Sequence, residues 1–111
     1  QQDQWSLAFF FFFAVHGMNL QQAIDAPAWH VKHAPGSFWP RQTTLNALSL
    51  ESRFAAGEID TLRALGHHVV VGDAWSEGRL SACSQERDAR GRLLLRAGAN
   101  PRGMQGYAVG R

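Results

Sequence analysis

Five histidines, one cysteine and nine acidic residues are the groups in this 111-residue chain whose spacing could support chemistry. His30 and His33 stand three apart, and His67-His68 is an adjacent pair. Two histidines at i and i+3 on a helix could offer nitrogen ligands to zinc. The segment around His30 is instead extended and proline-flanked, with no cysteine or acid at useful spacing, so no metal site and no cofactor is expected. His30 should pack or hydrogen-bond within its aromatic segment, and one of His67 and His68 should face solvent. Cys83, in Leu80-Ser81-Ala82-Cys83-Ser84, has no local base or positive charge to make a thiolate, and is expected as a small buried core residue. Asp73 and Glu77 are four apart but bracketed by Gly72 and Gly78. They read as solvated loop charges rather than a general acid–base pair.

Composition narrows the classes further. The chain is 45% hydrophobic and 18% charged, which suits one compact domain and excludes a disordered charged tail. A single cysteine excludes an intramolecular disulfide framework. Charge is uneven: residues 1–78 hold four cations against seven acids, and residues 79–111 hold seven arginines against Glu86 and Asp88. Those arginines are spread among Gly, Leu and Ala, with only Tyr107 to stack on a base, so a solvated arginine face is expected and no nucleic-acid partner. The longest apolar run, Leu7 to Val15, is too short for a bilayer core, which needs about 20 residues, so no membrane partner is expected. Gln1-Gln2-Asp3-Gln4 before it lacks the positive charge of a signal peptide. A chain that begins with Gln and has its first methionine at Met18 reads as a piece of something longer.

The elements that must position these groups alternate between helical and extended. Asp3 to His16 reads as a helix that Asp3 caps and Gly17 ends. Phe9 to Phe13 cover every side of it, so burial nearly all round is expected. Asn19 caps a second short helix with Leu20, Ala23 and Ile24 on one face, stopped by Pro27. Residues 27–44, with Pro27, Pro35 and Pro40 among Trp29, Phe38 and Trp39, read as an ordered irregular segment held by aromatic packing. Leu45 to Glu51 reads as a strand, and Glu58 to Leu65 as a helix with the stripe Ile59, Leu62 and Leu65, ended by Gly66. Strands are expected over His68 to Val71, Leu80 to Gln85 and Leu93 to Ala97, the last two joined by a turn at Asp88 to Gly91. The tail from Asn100 to Gly110 is turn-rich, with a short final strand. The class is α+β with mostly antiparallel pairing.

Three blocks carry a family resemblance. Gly17-Met18-Asn19-Leu20-Gln21-Gln22-Ala23-Ile24-Asp25-Ala26-Pro27, followed by Trp29-His30, resembles the motif stretch of the γ-glutamyltransferase (γ-glutamyltranspeptidase) family. Ala64-Leu65-Gly66-His67-His68-Val69-Val70-Val71 resembles its helix-to-strand junction. Asn100-Pro101-Arg102-Gly103, with Gly106, Ala108 and Gly110, resembles its glycine-rich ending. The blocks keep the family's order and frame nearly the whole chain, matching the C-terminal part of the small catalytic subunit. Two departures bear on subfamily and substrate rather than fold. Ala28 stands where many members have arginine, and Asn100 where the ending commonly has aspartate, each removing a charge that could support its loop.

The resemblance implies an N-terminal-nucleophile hydrolase, a four-layer αββα sandwich in which self-cleavage exposes a threonine. That threonine attacks a γ-glutamyl amide of glutathione type, with its own α-amine as base, and water or an amine then removes the acyl group. It implies that residues 1–111 are an incomplete domain whose partners are the large subunit and the N-terminal part of the small one. It also implies that the oxyanion glycines lie just before residue 1. The residues agree with that expectation. Residue 1 is Gln, Thr43-Thr44 and Thr61 are internal, and no adjacent glycine pair occurs. No catalytic residue is therefore assigned. The start of the first helix, Gln2, Asp3 and Gln4, is the candidate for pointing partial positive charge at the oxyanion, and the bland alternative is an ordinary surface helix start. The function expected is a segment of a γ-glutamyl-transferring or -hydrolysing enzyme, inactive alone. The alternative is a stand-alone, non-catalytic α+β binding or structural module.

Overall fold

The structure is a computed structural model that describes residues 1–104 and 106–109. The chain divides into two compact units, one of Gln1 with Pro27–Gly78, the other of Gln2–Ala26 with Arg79–Arg111. Each carries its own sheet.

In the first unit, β1 (Trp29–Val31), β2 (Ala47–Glu51) and β3 (His68–Gly72) form a sheet in that spatial order. β1 runs antiparallel to β2 with His30 opposite Ser49, and β3 runs parallel to β2 with Glu51 opposite Gly72. A parallel pair requires a crossover, which α3 (Ala56–Ala64) supplies. Pairing is therefore mostly antiparallel, as expected, with this one exception. β2 is central and buried at every position. Leu48 and Leu50 form a core with Ile59, against which Val31, Phe54, Leu62 and Val69 pack. Full burial of a leucine or isoleucine side chain favours folding by about 1.5–3 kcal/mol.

α3 starts two residues before the expected Glu58. Ala55 has no side-chain acceptor for the first turn, but the Glu58 carboxylate accepts the Ala55 N–H at 3.0 Å. Gly66, at φ 93°, ends the helix as expected, and the His67 N–H closes on the Leu62 carbonyl. Leu65 lies beyond the last helical residue and is exposed, so it leaves the expected stripe. The segment around residues 33–44 is ordered, but not by aromatic packing. Phe38 and Trp39 are 87% and 90% exposed. Hydrogen bonds hold it instead: Thr44 N–H to the Lys32 carbonyl, Gly36 N–H to the Gln42 carbonyl, and the Thr43 hydroxyl to the His33 carbonyl at 2.6 Å.

In the second unit, α1 (Gln2–Ala14) and α2 (Leu20–Asp25) accompany the hairpin of β4 (Ala82–Arg87) and β5 (Leu93–Gly98). α1 begins a residue earlier than expected, so Asp3 lies in its first turn rather than capping it. Gly17, at φ 68°, lets the Met18 N–H reach back to the Phe12 carbonyl and end the helix. No residue of α1 is buried, and Leu7, Phe10 and Phe11 are more than half exposed, which corrects the expected all-round burial. Five consecutive phenylalanines point in every direction around a helix, and the single short helix α2 does not cover them. α2 meets its expectation in full. Asn19 and Gln22 exchange hydrogen bonds in a capping box, and Leu20, Ala23 and Ile24 are buried.

The β4–β5 pair is antiparallel, from Ala82 opposite Gly98 to Arg87 opposite Leu93. Asp88 builds the turn by accepting the N–H groups of Arg90 and Arg92, both at 2.9 Å, and Gly91 takes φ 75°. β4 begins two residues later than expected. Cys83 is exposed, not a core residue, because a two-stranded hairpin leaves side chains open. Among the described residues of the tail, the expected strand is replaced by a short 3-10 turn at Arg102–Met104, and Gly110 lies outside the described residues.

Candidate functional site

The first unit carries a chain of buried polar groups on β1, β2 and the turn after β3. Glu51, the last residue of β2, is 0% exposed. One carboxylate oxygen, Oε1, accepts the Glu77 N–H at 3.1 Å, while Oε2 accepts the Ala28 N–H at 3.2 Å and the Arg53 Nε–H at 3.0 Å. A buried charge needs such pairing, and Glu51 has a cation and two backbone donors. Arg53 in turn lies over the Trp75 ring, its guanidinium carbon 3.5 Å from the centroid.

The Glu77 backbone, tied to Glu51, presents its own carboxylate to His30. His30 is 3% exposed, and its Nδ1 stands 2.6 Å from Glu77 Oε2. Its Nε2 is 3.0 Å from the side-chain nitrogen of Gln1. With the Gln1 amide as donor, Nε2 accepts, and Nδ1 carries the proton donated to Glu77. A carboxylate behind an imidazole fixes the ring's orientation and tautomer. His30 was expected to pack or hydrogen-bond within its own aromatic segment; it does hydrogen-bond, but to Glu77 and Gln1, which lie outside that segment. Glu77 corrects its expectation: it is half-buried and paired, whereas Asp73 is exposed. His68 is exposed and His67 half-buried, as expected of that pair.

A second buried cluster lies in the other unit. Arg102 is buried and donates to the Ile24 carbonyl at 2.7 Å and the Ala26 carbonyl at 2.8 Å, satisfying the end of α2. Asn100 accepts the Arg102 N–H at 2.9 Å and donates to the Arg102 carbonyl. Asparagine thus supports this turn with hydrogen bonds, without the charge of aspartate. The expected solvated arginine face is corrected here, since Arg102 is a structural residue. Elsewhere on the hairpin, Arg96 binds Glu86 and Arg92 binds Asp88. The Arg96 hydrogen bond holds the Glu86 carboxyl below its ordinary range, and the Arg92 backbone and side-chain hydrogen bonds do the same for Asp88.

Gln2 and Asp3 are exposed in the first turn of α1 and Gln4 is half-buried. Spacing did not foretell Glu51, Arg53, Glu77 and Arg102. The usable signal for Glu51 was a carboxylate closing an apolar strand two residues before an arginine. Among the described residues no cluster of three or more metal-ligating side chains occurs, and no helix is long and apolar enough to cross a membrane.

The α+β arrangement matches that of a mutant gamma-glutamyltranspeptidase from Helicobacter pylori, with a TM-score of 0.69 over 90% of this chain and 47% of that one, at 20% identity. This likeness shows that the chain shares the α+β fold of part of that protein. At higher similarity, the solved structure of LmbA2991HD superposes with a TM-score of 0.90 and 52% identity, over 100% of this chain and 20% of that one. The oxamate amidohydrolase proenzyme of Klebsiella pneumoniae subsp. pneumoniae is 35% identical over 109 residues, 98% of this chain. The chain spans 19% of that relative's length. The family model described as Gamma-glutamyltranspeptidase matches residues 1–110. The chain belongs to the gamma-glutamyltranspeptidase family.

Proposed function

We propose that residues 1–111 are the C-terminal part of the small catalytic subunit of an amide-cleaving or acyl-transferring enzyme, with the nucleophilic threonine and the oxyanion glycines upstream. The observation that supports this reading is the family match over residues 1–110 in a chain that spans 19% of an amidohydrolase proenzyme. In this reading the units supply packing surface and one polar contribution. The first turn of α1, at Gln2, Asp3 and Gln4, directs the positive end of the helix dipole towards the oxyanion. The acyl group is γ-glutamyl, with glutathione-type donors, after the family. The 35% identity to oxamate amidohydrolase favours a second reading, a small oxamate-like amide.

The test is to express the full reading frame containing this chain and assay it with a γ-glutamyl anilide and with oxamate, beside residues 1–111 alone. Turnover of one substrate by the full protein and of neither by the isolated chain is the expected result. Activity of the isolated chain that survives stringent purification overturns the proposal, as does a full protein inert towards both.

A further inference from the structure

We infer that His30 is a positioning residue that fixes Gln1, and with it the backbone immediately before α1. The inference rests on the reading that this backbone leads from the oxyanion glycines.

The geometry forms one continuous line of contacts. Trp75 supports Arg53, Arg53 neutralises Glu51, and Glu51 holds the Glu77 backbone. Glu77 orients the His30 ring, and His30 accepts the Gln1 amide. From Arg53 to His30 every link is buried or half-buried, whereas Trp75 and Gln1, at the two ends, are exposed. His30 is desolvated, and its Nε2 meets the exposed Gln1 side chain. It is well built to hold that side chain in one place. A glutamine held by a ring that is itself held by a carboxylate loses little additional freedom when its bond forms. Glu51 does not contact Gln1; it acts through the Glu77 backbone, so its role is one step further back.

The test uses the full protein and two kinds of variant, His30→Ala and Gln1→Ala, singly and together. Each single change is expected to lower kcat by about 10–100-fold, the range for loss of a group that orients a reacting one, with KM nearly unchanged. The double variant should be no slower than the slower single, because both remove the same contact. His30→Gln, which keeps a donor for Glu77 but not the ring, should recover folding and not rate. Multiplicative losses, or unchanged kcat with a lowered Tm, would mean His30 is only structural and overturn the inference. A measurement independent of turnover decides the contact itself. Nitrogen NMR of the His30 ring should show the Nδ1–H tautomer, with the Nε2 signal shifting on Gln1→Ala. An Nε2 signal indifferent to that change overturns the inference even where activity is intact. An inert wild-type protein with a responsive Nε2 signal overturns the functional reading while the contact stands.

Discussion

In the unit of Pro27–Gly78 the central strand β2 is buried throughout and ends on a buried, fully paired glutamate, whereas in the other unit β5 carries Leu93, Leu94 and Leu95 exposed. The central strand of the first unit hides a carboxylate, and the hairpin of the second leaves three leucines open. The cause is topological. β2 has neighbours on both edges and α3 on a face, so even a carboxylate there must find internal partners. β4 and β5 form a two-stranded sheet that α2 meets at Gly98, so Leu93, Leu94 and Leu95 stay open. Patches of this kind mark surfaces that meet another body of protein. That contrast suits a chain spanning 19% of its curated relative.

The contrast can be broken or sharpened by substitution, with local stability in the full protein read by native-state hydrogen exchange. Glu51→Ala should have the largest effect. It removes the carboxylate that accepts from Arg53 and from the N–H groups of Ala28 and Glu77, and should lower protection around Leu50 by about 3 kcal/mol. Unaltered exchange there would mean the cluster adds nothing to the sheet. Arg102→Met should cost about 2 kcal/mol around Ala26 by removing the guanidinium hydrogen bonds to the Ile24 and Ala26 carbonyls. Gly98→Ala comes next. Its Cβ would stand 2.8 Å from Ile24 Cδ1, and the resulting overpacking should cost about 1.5 kcal/mol.

Leu95→Lys should change the hairpin's own stability by no more than about 0.5 kcal/mol, since Leu95 is 67% exposed. A large loss in the full protein beside a small one in the isolated chain would show that the leucine is covered by upstream sequence. The smallest effect is pH-dependent. Asp88 and Glu86 both have carboxyls lowered by the fold, so their contribution is present above the unfolded carboxylate range and is lost as pH falls through the folded values. Protection of the Arg90 and Arg92 amides, taken relative to the intrinsic exchange rate at each pH, should fall on acidification in the wild type, and Asp88→Asn should flatten that response.

Much of this architecture was legible because its causes are local. Asn19 with Gln22, Gly17, Gly66 and the Asp88–Gly91 turn are side chains or glycines acting within a few residues, and each does what its type dictates. The failures were non-local. β1 was hidden in a proline-rich stretch because its evidence is a partner, β2, many residues away. Cys83 and the five phenylalanines were expected inside because apolar character states a preference, not the presence of something to pack against. The candidate site lay furthest from reach. His30 was singled out, but Glu77 looked like a loop acid and Glu51 like the end of a strand, since 47 and 21 positions separate His30 from them.

By itself the sequence determined the order and type of most elements and the helix caps and stops, which depend on short-range sterics and hydrogen bonding, while its motif blocks carried the family resemblance. Only the tertiary structure decided which charges are buried. A carboxylate's burial is tolerable only where a guanidinium, an imidazole or backbone donors arrive from elsewhere in the chain. It also left the phenylalanine run, expected buried, open to the surface, because burial depends on the neighbour and not on the residue.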